Sequence, residues 1–461
     1  MRRLSPNDLM FLLGESRETM MHVGGLLPFS PPPDAPPDYL RTIVDDIRQS
    51  KFVCPPWSLK LNTPGFLKNP LAAWVEDPDV DLDYHFRRSA LPAPGDEREL
   101  GVLVSRLHGN PVDFTRPPWD CHLIEGLERN RFALYAKMHH ALIDGFTSNR
   151  MLQRSLSTDP SDMTKPPFFA TPLPEQKRRE EVALTPWEAA LSGARKQLDA
   201  AREVASTMRD FWRASRAGDA NMMGLKAPHS ILNGRIGRNR RFATQQYALD
   251  RIKDLAKKTG GTLNDIVLAL SAGALRRFLK ELAALPDQPL VAMLPVNIRP
   301  KDDPGGGNAV GAMLVSLATD VADPVARLEA IMSSTRRAKE ILQSLSRPAV
   351  LQLSALLMAP SGMQTVTGTL GRVRPHFNVC ISNVPGPDQP LYFRGARLEA
   401  TYPLSVPIHG QALNITCQSY AGTLNFGFTG CRDSLPRMQR LAVYTGESLV
   451  ELEHALATTM L

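Results

Sequence analysis

The strongest candidate for chemistry in this sequence is the heptapeptide HHALIDG at residues 139–145. A neutral imidazole titrates near pH 7, so it can act as a general base that removes a hydroxyl proton while that oxygen attacks an acyl carbon. The alternative is a pair of core histidines whose ring nitrogens are satisfied by hydrogen bonds. We favour catalysis, because the whole heptapeptide directly after an alternating strand is a rarer pattern than a single histidine.

The element that must position these histidines is a strand predicted over residues 131–138, where apolar side chains alternate. Successive strand side chains point to opposite faces, so one of His139 and His140 faces a site and the other anchors the structure. This argues against a shared zinc ion, which favours i, i+4 spacing on a helix. Asp144 can hold the loop through bonds to an arginine or to backbone N–H groups, and Gly145 permits a sharp bend.

Helical and strand periodicities in both halves predict an α/β protein. The first half has a helix from an N-cap at Ser5 to Gly14 and a strand at residues 21–29. A Pro-rich linker at residues 165–181 precedes a long amphipathic helix from Trp187 to Trp212. The predicted helices and strands of the second half lie at residues 263–279, 290–295, 311–317, 324–344, 377–382, 413–420, 424–427 and 435–456. We therefore predict two α/β domains, residues 1–165 and 236–461, joined by a linker and connector helix within residues 166–235.

Composition excludes several classes of protein. The chain has 461 residues, of which 43% are hydrophobic and 22% charged, as expected of a globular protein with a real core. No apolar run reaches the ~20 residues that span a bilayer, and no secretory signal is visible. Five cysteines without a CxxC pair indicate a reduced, cytosolic protein. The absence of GxSxG, Walker A and GxGxxG motifs argues against a serine nucleophile or a nucleotide-binding loop.

Positive charge is concentrated between residues 232 and 258 of a chain whose net charge is +7. Four of the arginines there are Arg235, Arg238, Arg240 and Arg241. Such a patch attracts the phosphates of a cofactor, acidic lipid headgroups or nucleic acid, and the alternative is a solvated basic face. We do not expect nucleic acid to bind, because the patch lacks interleaved aromatic residues and any recognised binding module.

Further motifs accompany the heptapeptide along nearly the whole chain. They are LSP at residues 4–6, MHVGG at 21–25, RPPW at 116–119, GTLND at 261–265, PVNIR at 295–299 and SNVPGP at 382–387. With them the chain resembles the bacterial wax ester synthase / acyl-CoA:diacylglycerol acyltransferase family. This family belongs to the superfamily of chloramphenicol acetyltransferase, carnitine acyltransferases and peptide-synthetase condensation domains. The resemblance implies two chloramphenicol-acetyltransferase-like domains with mixed sheets.

The resemblance also implies roles for the motif residues. His140 would be the base that deprotonates the acceptor hydroxyl, His139 would support it, and Asp144 would shape the loop. Asn264 would donate a hydrogen bond to the tetrahedral oxyanion, and the alternative is that Asn264 caps the following helix. Asp265 would cap or form a salt bridge.

Candidate residues for the acyl or acceptor channel are Gly24, Gly25, Trp119, Asn383, Pro385 and Gly386. The two glycines would leave room for an alkyl chain, or would only allow a tight strand crossing. The tryptophan would form an aromatic wall, or would pack in the core. It follows Pro118, where the family usually has Leu, which bears on acyl or acceptor preference. The turn at residues 383–387 would wall the channel, or would only turn the chain after a strand.

The function that the resemblance implies is transfer of a long-chain acyl group from acyl-CoA to diacylglycerol, to a fatty alcohol, or to both. The arginine patch would meet the phosphates of CoA. No metal, cofactor or acyl-enzyme is expected. We expect a cytoplasmic protein that touches membranes or lipid droplets peripherally. The alternatives are a condensation-type enzyme that uses carrier-bound acyl groups and a non-catalytic lipid-droplet-binding protein.

Overall fold

The computed structural model describes residues 2–50, 52–65, 72–143, 145–172, 227–297 and 310–459. Helices and strands are mixed throughout these ranges. In the first half they are β1 (Arg2–Arg3), α1 (Pro6–Gly14), β2 (His22–Ser30), α2 (Tyr39–Arg48), β3 (Leu59–Leu61), β4 (Ala73–Glu76), α3 (Leu82–His85), β5 (Phe86–Ala90), α4 (Glu97–His108), β6 (Trp119–Leu127), β7 (Arg131–His139) and α5 (Gly145–Arg154). Short 3₁₀ turns lie at Glu128–Asn130, Phe168–Ala170 and Ile231–Asn233.

The second half continues the same mixture. Its elements are β8 (Arg240–Ala248), α6 (Leu249–Thr259), α7 (Leu263–Glu281), β9 (Val291–Asn297), β10 (Val310–Ser316), α8 (Pro324–Gln343), α9 (Arg347–Val366), β11 (Val379–Val384), β12 (Tyr392–Phe393), β13 (Ala396–Leu398), β14 (Tyr402–Leu404), β15 (Leu413–Tyr420), β16 (Thr423–Cys431) and α10 (Arg440–Thr459). The helices and strands predicted outside residues 166–235 are therefore present, whereas α4, α6 and α9 are among the helices that were not predicted.

The N-terminal sheet positions the two histidines. Its strand order is β12-β13-β2-β7-β6-β5, and β14 also pairs with β2. The sheet is mixed, because β5 and β6 are parallel while β2 and β6 are antiparallel to β7. In the register of β2 and β7, His22 lies opposite His139. The end of the central strand β7 is therefore held between two neighbouring strands.

The C-terminal sheet has the order β10-β9-β11-β15-β16-β8. Strand β11 runs parallel to β9 and β15, while the other pairs are antiparallel, so this sheet is also mixed. The β15–β16 hairpin turns at Ala421 and Gly422, which both have positive φ. Positive φ at both central residues matches the right-handed twist of the flanking strands.

A crossover joins the two halves. Strands β12, β13 and β14 come from the second half of the chain but pair within the N-terminal sheet. The boundaries 1–165, 166–235 and 236–461 stay a prediction, and none of them assigns these strands to the first domain. The predicted connector helix from Trp187 to Trp212 lies outside the described residues.

The two faces of β15 show how the C-terminal sheet is oriented. Leu413, Ile415 and Cys417 belong to the apolar cluster that includes α7 and α10. Thr416 points to the other face, where its hydroxyl bonds Ser405 directly after β14. The polar face of this sheet is therefore turned toward the crossover and the N-terminal half. Among the described residues, no helix is both long enough and apolar enough to cross a membrane.

Candidate active site

His139 is an anchored histidine at the end of β7. Its side chain is 0% exposed, and its backbone N–H donates to the Pro118 carbonyl at 2.9 Å. The N–H of Ala141 donates to His139 Nδ1 at 3.1 Å, so the ring proton lies on Nε2. Nε2 in turn donates to the Glu15 carboxylate at 3.3 Å. Both ring nitrogens are therefore engaged in holding the local structure.

Glu15 is a site residue that the sequence did not indicate. Besides His139, its Oε2 accepts the N–H of Met21 at 2.6 Å. The carbonyl of Met21 then accepts the N–H of His140 at 2.8 Å. Glu15 and His139 are 124 positions apart, so no spacing in the sequence connects them. In the sequence Glu15 is marked only as an acidic residue directly after the predicted end of a helix.

His140 leaves the strand and lies in a turn, where it is only partly buried. Its ring stacks on Phe11 of α1, with 4.0 Å between centroids and 12° between planes. Helix α1 is fixed at its start by a capping box between Ser5 and Asp8 and by the bond from Trp74 Nε1 to Asp8 at 3.1 Å. The two histidines thus have different surroundings, which agrees with one anchoring residue and one residue that faces a site.

A buried polar network lies behind the end of β7. His22 Nε2 bonds the His108 carbonyl at 2.9 Å. His108 Nδ1 accepts from the Tyr135 hydroxyl at 2.9 Å, and its Nε2 donates to the Ser405 carbonyl at 3.3 Å. Burial lowers the pKa of His108 to about 3 and the pKa of His22 well below its usual value. Both are therefore neutral at physiological pH, and the network connects the N-terminal sheet to the residue that follows β14.

The residue Asp144 of the heptapeptide lies outside the described residues, so its predicted role in shaping the loop stays a prediction. Gly145 begins α5 immediately after it.

Asn264 is the second residue of α7, and its N-cap alternative is wrong. The cap is Thr262, whose side chain accepts the N–H of Asp265. Asp265 completes the capping box by accepting the N–H of Thr262 at 2.8 Å, and it also accepts the Thr335 hydroxyl at 2.6 Å. Asp265 therefore caps, as expected. The half-buried Asn264 stays a predicted oxyanion donor.

The two glycines of β2 differ in their surroundings. A Cβ on Gly24 would lie 2.7 Å from the Ala136 carbonyl oxygen and 3.7 Å from Leu404 Cβ. Gly24 is thus explained by the close approach of neighbouring strands. A Cβ on Gly25 would meet no atom within 4 Å. Open space beside Gly25 leaves it as a channel candidate.

Trp119 packs in the core of the N-terminal half. It is 2% exposed, and its indole N–H donates to the Trp57 carbonyl at 2.8 Å. Its ring stacks on Phe169 with 5.6 Å between centroids. The packing alternative therefore accounts for the environment of Trp119, and contact with substrate stays a prediction. The preceding Pro118 contributes through its carbonyl, which holds His139.

The turn after β11 is tied to β15. A Cβ on Gly386 would lie 2.1 Å from the Ser419 carbonyl oxygen, and the Gly386 N–H donates to the Ser419 hydroxyl at 3.1 Å. Only glycine fits this close approach. Pro385 is exposed and Asn383 is half-buried. The turn-forming role thus explains Gly386, while channel contacts of Asn383, Pro385 and Gly386 stay predictions.

Arg240 differs from the other three candidates for CoA phosphate. It is 4% exposed, and its guanidinium donates to the carbonyls of Gly237 and Glu18. Burial lowers the pKa of Arg240 to about 10. Its assignment to CoA is corrected, because its donors hold the loop that follows α1 and are not presented to solvent.

The remaining arginines are accessible: Arg235 and Arg238 are exposed and Arg241 is half-buried. Arg235 bonds His409 Nε2 at 3.2 Å. Burial is the largest cause of the lowered pKa of His409, and Glu18 acts on the same ring with the opposite sign. Because Arg240 of the same patch donates to the Glu18 carbonyl, the patch lies beside the loop that carries Glu15 and Met21. Within the described ranges, no cluster of three His, Cys, Asp or Glu side chains is arranged to bind a metal ion.

Two family models match the sequence. Residues 4–267 match the wax ester synthase/diacylglycerol acyltransferase catalytic domain, and residues 306–453 match the C-terminal domain of the same family. A curated protein of Mycobacterium tuberculosis, named as a diacylglycerol O-acyltransferase, is 52% identical over 98% of this chain and 97% of its own. Sequence similarity thus extends over essentially the whole length of both proteins.

Solved structures with the same fold bear out the predicted architecture. The wax ester synthase/diacylglycerol acyltransferase of Marinobacter aquaeolei has a TM-score of 0.80 at 38% identity, covering 99% of this chain and 100% of that one. The first condensation domain of the calcium-dependent antibiotic synthetase has a TM-score of 0.61 at 16% identity, covering 99% and 97%. The second likeness concerns the fold alone. The predicted α/β fold with mixed sheets, shared with condensation domains, is confirmed.

Proposed function

The chain belongs to the wax ester synthase/diacylglycerol acyltransferase family and is an acyltransferase, and from this premise we propose its reaction. A long-chain acyl group moves from acyl-CoA to the hydroxyl of a diacylglycerol, of a fatty alcohol, or of both. The observation that carries the proposal is the contrast between His139 and His140. The first is sealed and bonded on both ring nitrogens, whereas the second is partly exposed with its backbone and ring plane held in place.

In the proposed mechanism His140 is the general base. It removes the proton of the acceptor hydroxyl as that oxygen attacks the thioester carbonyl carbon. The tetrahedral intermediate collapses with cleavage of the carbon–sulfur bond, and the protonated imidazole returns its proton to the CoA thiolate. The products are the ester and free CoA, so protons balance over the cycle. Asn264 is the proposed donor to the oxyanion.

The ring stacked on His140 supports this role electrostatically. The face of an aromatic ring carries partial negative charge, which attracts a cation above it. Phe11 lies 4.0 Å from the imidazole in a nearly parallel arrangement. The stacking therefore favours the imidazolium that forms when the base has taken the proton.

The accessible arginines beside the loop of residues 15–21 are the proposed contacts of the CoA phosphates. Arg235 and Arg238 are exposed to solvent. Each exposed ion pair with a phosphate therefore contributes only modestly to the binding free energy of CoA. Replacement of Arg238 by Ala is expected to raise KM for acyl-CoA several-fold without lowering kcat. An unchanged KM in both the Arg235→Ala and Arg238→Ala variants would remove these residues from the CoA site.

Peripheral contact with a lipid surface is proposed through the outer side of α1. Leu9, Met10 and Leu13 are 40%, 59% and 60% exposed, and the cations Arg3 and Arg17 flank the helix and are exposed. Apolar side chains beside cations suit an interface with anionic lipid. Replacing the three apolar residues by Gln is expected to lower the fraction of protein that sediments with anionic vesicles. Sedimentation at the wild-type level would contradict the proposed contact.

The decisive experiment is an assay of His140→Ala with one acyl-CoA and two acceptors, 1,2-diacylglycerol and hexadecanol. We expect ester formation to fall by about 10²–10⁴-fold with both acceptors, because that is the usual contribution of a general base. His454→Ala is the matched control, since His454 is exposed on α10. Retained activity in a folded His140→Ala protein would refute the base assignment. No turnover by the wild type with either acceptor would favour a carrier-bound acyl donor or a non-catalytic lipid-binding role.

A further inference from the structure

We propose that Glu15 is a positioning residue for acyl transfer. Its carboxylate fixes the tautomer and orientation of His139 and, through the adjoining turn, the direction of His140. This inference rests on the proposed function, in which His140 is the base. Glu15 is not proposed to touch the substrate or to receive the transferred proton.

Glu15 determines which ring nitrogen of His139 carries the proton. The Ala141 N–H needs an acceptor, and His139 Nδ1 supplies one at 3.1 Å. The proton must then lie on Nε2, where the acceptor is Glu15 at 3.3 Å. Loss of that acceptor would leave a buried N–H without a partner and would free the ring to adopt the other tautomer. In the other tautomer Nδ1 carries the proton and cannot accept the Ala141 N–H.

Glu15 also restrains the backbone around His140. The same oxygen of Glu15 accepts the Met21 N–H at 2.6 Å, and the Met21 carbonyl accepts the His140 N–H at 2.8 Å. On the other side, Ala141 is bonded to the His139 ring. One carboxylate oxygen therefore restrains His139 directly, Ala141 through the His139 ring, and Met21, whose carbonyl accepts the amide N–H of His140.

Glu15 lies at a position in the fold that is unfavourable for a negative charge. Glu15 is the C-cap of α1, and Phe11, which stacks on His140, lies one turn earlier on the same helix. A carboxylate at a helix C-terminus is repelled by the helix dipole, and no basic residue lies in the last turn of α1 to offset this. The Glu15 side chain is nevertheless largely buried, with 12% of it exposed, and it contacts the fully buried His139. A carboxylate therefore lies where the helix alone disfavours negative charge. This points to a role for Glu15 in its hydrogen bonds to His139 and Met21.

The test compares Glu15→Gln and Glu15→Asp with the wild type. Glu15→Gln preserves size and one acceptor oxygen but has no charge and presents an amide N–H. We expect kcat to fall about 10²-fold with KM for both substrates unchanged within about twofold. A neutral amide oxygen accepts the two N–H groups more weakly than a carboxylate does, and a small displacement of a reacting group costs that much. Glu15→Asp retains the charge and is expected to recover part of the lost kcat. Glu125→Gln is the matched control, since Glu125 forms a surface pair with Arg88 at 2.7 Å.

A double-mutant cycle with His139→Gln separates positioning from general destabilisation. If Glu15 acts through His139, the factor by which Glu15→Gln lowers kcat is expected to be at least tenfold smaller in the His139→Gln background than in the wild type. The inference would be overturned if Glu15→Gln lowered kcat by the same factor in the wild-type and His139→Gln backgrounds. Equal activity of the Glu15→Gln and Glu15→Asp variants, or a change confined to KM, would also overturn it. Inactive His140→Ala beside fully active Glu15→Gln would overturn this inference alone. Active His140→Ala would overturn the proposed function itself.

Discussion

The two large sheets of this molecule differ in what their faces carry. The end of β7 in the N-terminal sheet is surrounded by buried polar groups, among them His22, His108 and His139. The helix-covered face of the C-terminal sheet is instead packed with apolar side chains, and Leu268, Leu270 and Leu275 of α7 are all 0% exposed. The difference teaches that buried polar groups gather at the end of β7, whereas the helix-covered face of the C-terminal sheet is apolar.

The faces that meet between the halves are joined by hydrogen bonds as well as by apolar contacts. Ser405 connects the two sides, because its carbonyl accepts from His108 and its hydroxyl bonds Thr416 of β15. Close by, the N–H of Phe242 in β8 donates to the Ser105 hydroxyl of α4 at 2.9 Å. Buried polar groups at this junction therefore depend on partners from the opposite half.

The largest expected effect tests whether the apolar cluster beside the C-terminal sheet contributes stability without setting kcat. Leu270→Ala removes a fully buried side chain from the apolar cluster and is expected to lower the free energy of unfolding by about 3 kcal/mol. Urea denaturation measures this loss, and kcat at a temperature where the variant stays folded is expected to equal the wild-type value. A large loss of kcat in the folded variant would show that this cluster also positions reacting groups.

A second prediction uses pH to test the buried histidines of the junction. His108 has a folded pKa of about 3, below the ~6.5 of an unfolded histidine, so between these values the unfolded state binds more protons. The free energy of unfolding therefore falls as pH drops, by about 2 kcal/mol between pH 8 and pH 5 through this residue. Urea denaturation at both pH values measures the fall, and His108→Asn is expected to reduce it by that amount. If the free energy of unfolding fell equally in His108→Asn and in the wild type, His108 would be excluded as the source of the fall. The control is His454→Asn, which replaces an exposed histidine.

The smallest effect distinguishes two adjacent positions of the N-terminal sheet. Gly24→Ala places a methyl group against a backbone oxygen and is expected to cost about 1–2 kcal/mol of folding free energy. Gly25→Ala enters open space and is expected to leave stability within about 0.5 kcal/mol. A shift of acyl-chain preference in Gly25→Ala, measured with C8 to C18 acyl-CoA, would support its place in the channel. Equal destabilisation by both substitutions would contradict the assigned surroundings.

Local patterns predicted much of the fold and part of the site. Alternation over residues 131–138 indicated β7, and the Ser5–Asp8 spacing indicated the start of α1. Both are short-range patterns, which repeat with the period of the element. The heptapeptide identified both histidines and assigned them different roles. The pairing of Tyr392–Leu404 with the N-terminal sheet was not predicted, because strand pairing over that distance leaves no local signature.

The sequence by itself determined the family, the mixed α/β class and the histidines that carry the proposed chemistry, since these depend on residue types at fixed short spacings. Only the tertiary structure decided that Glu15 is the partner of His139, that Arg240 is buried, and that Gly24 and Gly25 have different neighbours. The physical reason is the same in each case. A side chain's partner and its exposure depend on which distant segments pack around it, and charge or size alone does not encode that arrangement.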